Sequence, residues 1–184
     1  PLLFLTAEVF AATVFNQKGR GLAIKLSKPA RMVLVVLGAI GAVAPLVWPS
    51  AWLAPVIWLS FILLLDPLNA MRGWPSITGD LSRGDWRRLW SLLASGLVCG
   101  VLWEFWNYWA LSKWTYTVPY FGNVKMFEMP VLGFLGFPPF AIECWAIYIF
   151  CRSLLGGKPD QFSNTIWIGT NSSALGRSSL TLDQ

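Results

Sequence analysis

Five apolar runs, separated by polar or proline-bearing connections, dominate the pattern of this chain. The runs cover residues 1–15, 32–48, 51–65, 89–111 and 130–151. A helix that crosses the hydrocarbon core of a bilayer needs about 20 mostly apolar residues, with about 17 as the lower limit. The pattern therefore predicts an all-α integral membrane protein, in which residues 1–155 form one bundle of about five transmembrane helices.

The first run is short for a membrane-spanning helix, and Thr6, Glu8 and Thr13 interrupt it. The chain also begins at Pro1 rather than Met. We expect this run to be the visible end of a longer helix. The second and third runs are joined at Pro49-Ser50, where proline ends a helix. These two runs are therefore predicted to form a helical hairpin.

The connections differ in character along the chain. Residues 66–88 are polar, and residues 113–129 form an aromatic loop that contains proline. The fifth run contains Pro138-Pro139, which is predicted to break its helix. From Gly156 onward the chain is rich in Ser, Thr, Asn and Gly, which is typical of a loosely structured segment. We interpret residues 156–184 as a polar, cytoplasmic tail.

The distribution of positive charge predicts an orientation. With five spans, one side of the membrane receives all of the 14 lysines and arginines except Lys113 and Lys125. Cytoplasmic loops of membrane proteins carry the excess of these residues. The N-terminus is therefore expected outside and the tail in the cytoplasm, with the bacterial inner (plasma) membrane as the location.

Composition excludes several other classes of protein. Only 12% of the residues are charged and 55% are hydrophobic, whereas a soluble domain carries about 25% charged residues. The net charge is +5, and the basic residues lie between apolar runs, which favours lipid headgroups over nucleic acid as the partner. The chain has no histidine, and its three cysteines lack metal-ligand spacing, so we predict neither a metal site nor histidine-ligated haem.

Three carboxylates, Glu104, Glu128 and Glu143, lie in or beside apolar runs. An ionisable group inside the hydrocarbon region costs about 2.5–3.5 kcal/mol and needs a partner. Under one interpretation they form an intramembrane acid cluster with catalytic roles. Under the other, each forms an interhelical hydrogen bond that holds the bundle together. Asn107 and Tyr108 follow Glu104 at helical spacing, so all three are predicted to share one face.

Aromatic residues are concentrated around the fourth run and the loop that follows it. Six of them could contact a lipid or a polyene: Trp103, Trp106, Tyr108, Trp109, Trp114 and Tyr116. The alternative is an interfacial aromatic belt combined with ordinary helix packing. No firm cofactor follows from either interpretation, although a carotenoid, a quinone or a lipid could be held by packing alone.

The segment 65–150 resembles a family of uncharacterised bacterial inner-membrane proteins. The stretches that carry the resemblance are LDPLN, GDWRRLW, WEFWNYWA, WTYTVPYFG and FEMPVLGFLGFPPFAIECW. A fainter similarity links the chain to the lycopene-cyclase-type membrane domain of carotenoid synthesis. It rests on the order of Trp114-Thr115-Tyr116, Gly122, Pro130 and Glu143, but the tight proline-glutamate-glutamate cluster of that family is absent.

Two functions of different classes follow. The first is a non-catalytic accessory subunit of a larger membrane complex, of photosynthetic or respiratory type, whose partners are membrane lipids and other integral membrane subunits. The second is a polyene-modifying enzyme, in which a neutral Glu104 or Glu143 protonates a double bond and a second carboxylate removes a proton. We favour the first. A transporter is less consistent with short spans that lack a repeat.

Overall fold

The structure, a computed structural model, describes residues 2–15, 21–50, 53–116 and 124–156. These residues are mostly helical. Their six α-helices are α1 (Leu2–Thr13), α2 (Lys28–Val47), α3 (Ala54–Met71), α4 (Ile77–Ser82), α5 (Arg87–Trp109) and α6 (Phe137–Leu154). Before α6, the antiparallel strands β1 (Lys125–Met126) and β2 (Met129–Pro130) lead into a 3₁₀ helix (Val131–Gly136).

The predicted helical fold is confirmed, whereas the number of spans is not. Three helical segments among the described residues are long and apolar enough to cross a membrane: α2, α5 and the combined segment Val131–Leu154. Helix α1 and the apolar part of α3 are shorter. The predicted tail, from residue 157 onward, lies outside the described residues.

Three prolines, at two places in the chain, have a different role in the structure from the one that the sequence predicted. The third apolar run was expected to end at Asp66-Pro67, but α3 continues through Pro67 to Met71. Pro67 is fully buried, so packing offsets the backbone hydrogen bond that proline cannot donate. Pro138-Pro139, predicted to break the last span, instead lies in the first turn of α6, where helical N–H groups have no partner in any case.

The helices pack as a chain of neighbours. Helix α2 packs on α3, α3 on α6, α6 on α5, and α5 on α1. The apolar core lies where α1, α5 and α6 meet, around Leu92, Ala141 and Trp145. Within α2, only the glycines Gly38 and Gly41 are buried. Many of its large apolar side chains, such as Val33, Leu37 and Ile40, are more than half exposed, as expected for a helix that faces lipid.

Gly38 sets how closely α2 and α3 approach. A Cβ atom at this position would lie 2.4 Å from the backbone nitrogen of Leu64 and 2.7 Å from the carbonyl oxygen of Ser60. Because both contacts are with backbone atoms, a side chain could be accommodated only if one helix moved. Small residues allow such close contact between helices in membranes.

Replacing Gly38 by valine is expected to destabilise the protein by about 1–3 kcal/mol, the usual cost of overpacking. Ala39→Val is the control, because residue 39 is exposed, and its effect should stay within about 0.5 kcal/mol. Unfolding of both variants in detergent measures the difference. Equal stability of the two variants would contradict close packing of α2 on α3.

Candidate functional site

The bundle has two polar ends. We call the end formed by residues 21–27 and 72–88 the inner end, and the end formed by residues 110–116 and 124–130 the outer end. At the inner end, the Asp66 carboxylate accepts hydrogen bonds from the backbone N–H groups of Ile77 (2.6 Å) and Thr78 (2.8 Å), and from the Thr78 hydroxyl. A side chain of α3 therefore satisfies the N-terminal donors of α4.

Asp80 of α4 is the centre of a second group of contacts at the inner end. Its carboxylate forms ion pairs with Arg83 and with the buried Arg88 (2.5 Å). The Arg88 guanidinium also lies 4.9 Å from the centre of the Trp145 ring. Burial raises the pKa of Asp80, although both arginines oppose this effect. These contacts hold α4, α5 and α6 together, which indicates a structural role.

The segment that precedes α2 crosses this inner end. Its backbone hydrogen bonds join Gly21 N–H to the Gly84 carbonyl and Ile24 N–H to the Leu81 carbonyl, each at 2.9 Å. The Trp86 indole donates to the Leu22 carbonyl at 3.0 Å. The start of α2 and the start of α5 therefore lie at the same end of the bundle.

At the outer end, one face of α5 binds the segment that follows the helix. The Tyr116 hydroxyl donates a short hydrogen bond to Glu104 Oε1. Asn107 Nδ2 donates to the Trp114 carbonyl at 2.8 Å, and the Trp114 N–H donates to Asn107 Oδ1 at 2.7 Å. The shared face predicted for Glu104, Asn107 and Tyr108 is consistent with these contacts, which fold the segment back onto the helix.

Glu128 belongs to the same end but has a different partner. Its carboxylate forms an ion pair with Lys113 Nζ at 2.7 Å, and this ammonium also lies 5.1 Å from the centre of the Tyr108 ring. Glu128 lies in the turn between β1 and β2, where Phe127 has a φ of 59°. The ion pair therefore fastens the β-turn to the segment after α5.

Glu143 does not lie close to Glu104. Gly100 packs against Phe137, and Glu104 lies four residues further out on α5, whereas Glu143 lies six residues further in on α6. At about 1.5 Å per residue, their separation along the bundle is roughly 15 Å. Helical spacing places Glu143 near the α6 face where Asn69 of α3 donates to the Ala146 carbonyl (3.1 Å).

A cavity of about 600 Å³ lies between α5, β2 and the 3₁₀ helix. Its lining is predominantly apolar and includes Leu3, Trp58, Cys99, Met129 and Phe140. Of the six aromatic residues predicted as ligand contacts, three line this cavity: Trp103, Trp114 and Tyr116.

The other three residues of the aromatic set lie elsewhere. Trp106 lines a more open pocket of about 330 Å³, which it shares with Trp103 and Trp114. Tyr108 packs against Phe127, and Trp109 is 70% exposed. The structure therefore divides the predicted set between one cavity and the outer surface of α5.

Tyr116 is the side chain that joins the cavity to Glu104. Burial and the hydrogen bond to Glu104 raise the pKa of Tyr116 to about 12. The phenol therefore remains protonated at neutral pH and keeps its role as a donor. Among the residues that the structure describes, no group of three or more His, Cys, Asp and Glu residues is placed to hold a metal ion.

Sequence reasoning missed the buried polar residues of the inner end, above all Asp66, Asn69 and Asp80. It interpreted residues 66–88 as a polar connection and assigned no partner to these side chains. A signal was present, because Asp66 directly follows an apolar run and an ionisable group there needs a partner just as Glu104 does.

Comparison of the chain with protein families, curated proteins and solved structures gives no match. The two resemblances drawn from the sequence therefore remain predictions, and Gly122, which belongs to the second of them, lies outside the described residues.

The Glu104–Tyr116 hydrogen bond should be measurable as a coupling energy. Glu104→Gln and Tyr116→Phe, combined in a double-mutant cycle of detergent unfolding, are expected to show a coupling of about 1–2 kcal/mol. The control cycle replaces Tyr116→Phe by Tyr108→Phe, because Tyr108 packs against Lys113 and Phe127; it should be additive within about 0.5 kcal/mol. Additivity in both cycles would contradict the hydrogen bond.

Proposed function

We propose that this chain is a five-span protein of the bacterial inner membrane, with its N-terminus outside and its tail in the cytoplasm. In this proposal it is a non-catalytic accessory subunit of a larger membrane complex, of photosynthetic or respiratory type. Its partners are membrane lipids and the helices of other subunits.

The contacts at the inner end support the five-span topology. Because the starts of α2 and α5 lie at one end, a chain that crosses the membrane in α2 must return in α3. At about 1.5 Å per residue, the 18 residues of α3 cover roughly 27 Å, close to the thickness of the hydrocarbon core. Helix α1 packs on the inner half of α5, where Ser95 Oγ donates to the Leu3 carbonyl at 2.5 Å.

The outer surface of α5 is the observation that carries the assignment as a subunit. Trp106 and Trp109 are 69% and 70% exposed, and they lie at helical spacing on the outer half of the longest helix among the described residues. Neither side chain lines the cavity of about 600 Å³. Indole rings in this position can contact lipid headgroups, and aromatic side chains are enriched at protein interfaces.

The separation of the carboxylates favours a non-catalytic role. Glu104 and Glu128 each hold a different segment in place at the outer end, and Glu143 lies on another helix roughly 15 Å away. Acid catalysis on a polyene needs a proton donor and an acceptor around one cleft.

A second candidate function is the polyene-modifying enzyme, and one observation favours it. The Glu104–Tyr116 pair adjoins the apolar cavity of about 600 Å³, so one acid and one phenol lie beside a space that could hold an apolar substrate. In that case Glu104→Gln would abolish conversion of an added polyene.

Purification of the tagged chain from its native membrane in a gentle detergent tests the assignment as a subunit. We expect mass spectrometry to find partner chains in a fixed ratio, and the absorption spectrum to show any pigments or haems that those partners carry. Trp106→Ala combined with Trp109→Ala should lower partner recovery about tenfold, since interface tryptophans often contribute more than 1 kcal/mol each.

Trp48→Ala is the matched control, because Trp48 is 76% exposed but follows α2 at the far side of the bundle. Its partner recovery should equal that of the parent chain. A monomeric parent chain that converts a polyene would contradict the subunit proposal and support the enzyme.

A further inference from the structure

Part of the wall of the cavity of about 600 Å³ is formed by tight contacts. Gly100 packs against the Phe137 ring, and Gly133 against the Met129 side chain. Gly136 packs against the Trp58 ring in the same way. A Cβ atom at any of these three glycines would lie less than 3 Å from the neighbouring side chain. This part of the wall is therefore closely packed, while the exposed Trp114 ring borders a side that is open to the surroundings.

The side chains that line the cavity are apolar, with one exception. The Tyr116 hydroxyl is the only side-chain oxygen among the residues that line the cavity, and the rest of the wall is carbon, indole or sulfur. Beside it, Glu104 is fully buried, and its Oε2 atom has no hydrogen-bond partner among the described residues. Glu104 does not itself line the cavity, so a ligand would contact this pair through the Tyr116 hydroxyl, which can also accept a hydrogen bond.

We propose that this cavity binds one single-chain lipid that ends in a hydroxyl group, such as a long-chain or isoprenoid alcohol. The hydrocarbon chain occupies the apolar part beside Phe137 and Phe140, and the hydroxyl group donates a hydrogen bond to the Tyr116 hydroxyl, which Glu104 holds in place. This binding site does not depend on the assembly proposed above, because the residues that form it belong to this chain.

The volume and the charges of the site select this class of lipid. A volume of about 600 Å³ lies in the range of 300–1,000 Å³ that is typical of sites enclosing one small ligand. An anionic head group would face the Glu104 carboxyl, while the Lys113 ammonium is already paired with Glu128. A neutral donor fits the Tyr116 hydroxyl, and the apolar wall fits one hydrocarbon chain.

Cys99 provides a probe of occupancy, because it lines the cavity and is partly exposed. In a variant with Cys144→Ala and Cys151→Ala, Cys99 is the only cysteine. The purified full chain is treated with N-ethylmaleimide, with and without 1-octadecanol, and the rate of Cys99 alkylation is followed by mass spectrometry. We expect 1-octadecanol to slow alkylation at least tenfold.

Octadecane and two variants test the polar end of the site. Octadecane, which lacks only the hydroxyl, should protect Cys99 at about fivefold higher concentration, the change expected for one lost hydrogen bond. Tyr116→Phe and Glu104→Gln should reduce protection by 1-octadecanol about fivefold while leaving protection by octadecane unchanged. Tyr108→Phe is the control and should behave as the parent chain. Equal unfolding midpoints show that the variants are folded.

Two results would overturn the proposal. If neither 1-octadecanol nor octadecane slows alkylation, the cavity does not take a hydrocarbon chain. If both protect equally in the parent chain, or if phosphatidylethanolamine protects where 1-octadecanol does not, the hydroxyl-bearing single-chain lipid is the wrong class. Failure to recover partner chains from the native membrane would leave this proposal unaffected.

Discussion

The hydrocarbon core of a membrane offers no water, so polar side chains within it must find partners inside the protein. In this chain the carboxylates of the outer end meet this constraint separately: Glu104 accepts from Tyr116, and Glu128 pairs with Lys113. At the inner end, Asp66 caps a helix that belongs to another segment. The ends of the bundle are therefore fixed by polar contacts, and the middle by close packing of small residues such as Gly38.

Much of the fold could be predicted from the sequence, because long apolar runs and their polar flanks determine where membrane helices begin and end. Helices α2 and α5 differ from the predicted runs by only a few residues. The end of α3 could not be predicted, because burial of Pro67 decides it and local propensity does not. Helix α4 was missed for a similar reason, since its N-terminal N–H groups are satisfied by Asp66, eleven residues before Ile77.

The candidate site could be predicted only in part. Helical spacing grouped Glu104 with Asn107, and both residues contact the segment that follows α5. It could not show that the segment after α5 folds back, which is what brings Tyr116 to Glu104. The runs 89–111 and 130–151 already place Glu104 and Glu143 on different helices, but the sequence could not show which faces of these helices meet, because contacts between distant helices are tertiary and leave no local pattern.

The five-span topology is the central claim, and the accessibility of single cysteines tests it most directly. In a chain without Cys99, Cys144 and Cys151, new cysteines at Ala23, Ser112 and Leu155 are treated in intact cells with a membrane-impermeant maleimide. Five spans predict that only the cysteine at Ser112 reacts, since Ala23 and Leu155 then lie on the cytoplasmic side. If only α2, α5 and α6 crossed, the cysteines at Ala23 and Ser112 would share one side and that at Leu155 would lie on the other, which would contradict the five-span topology.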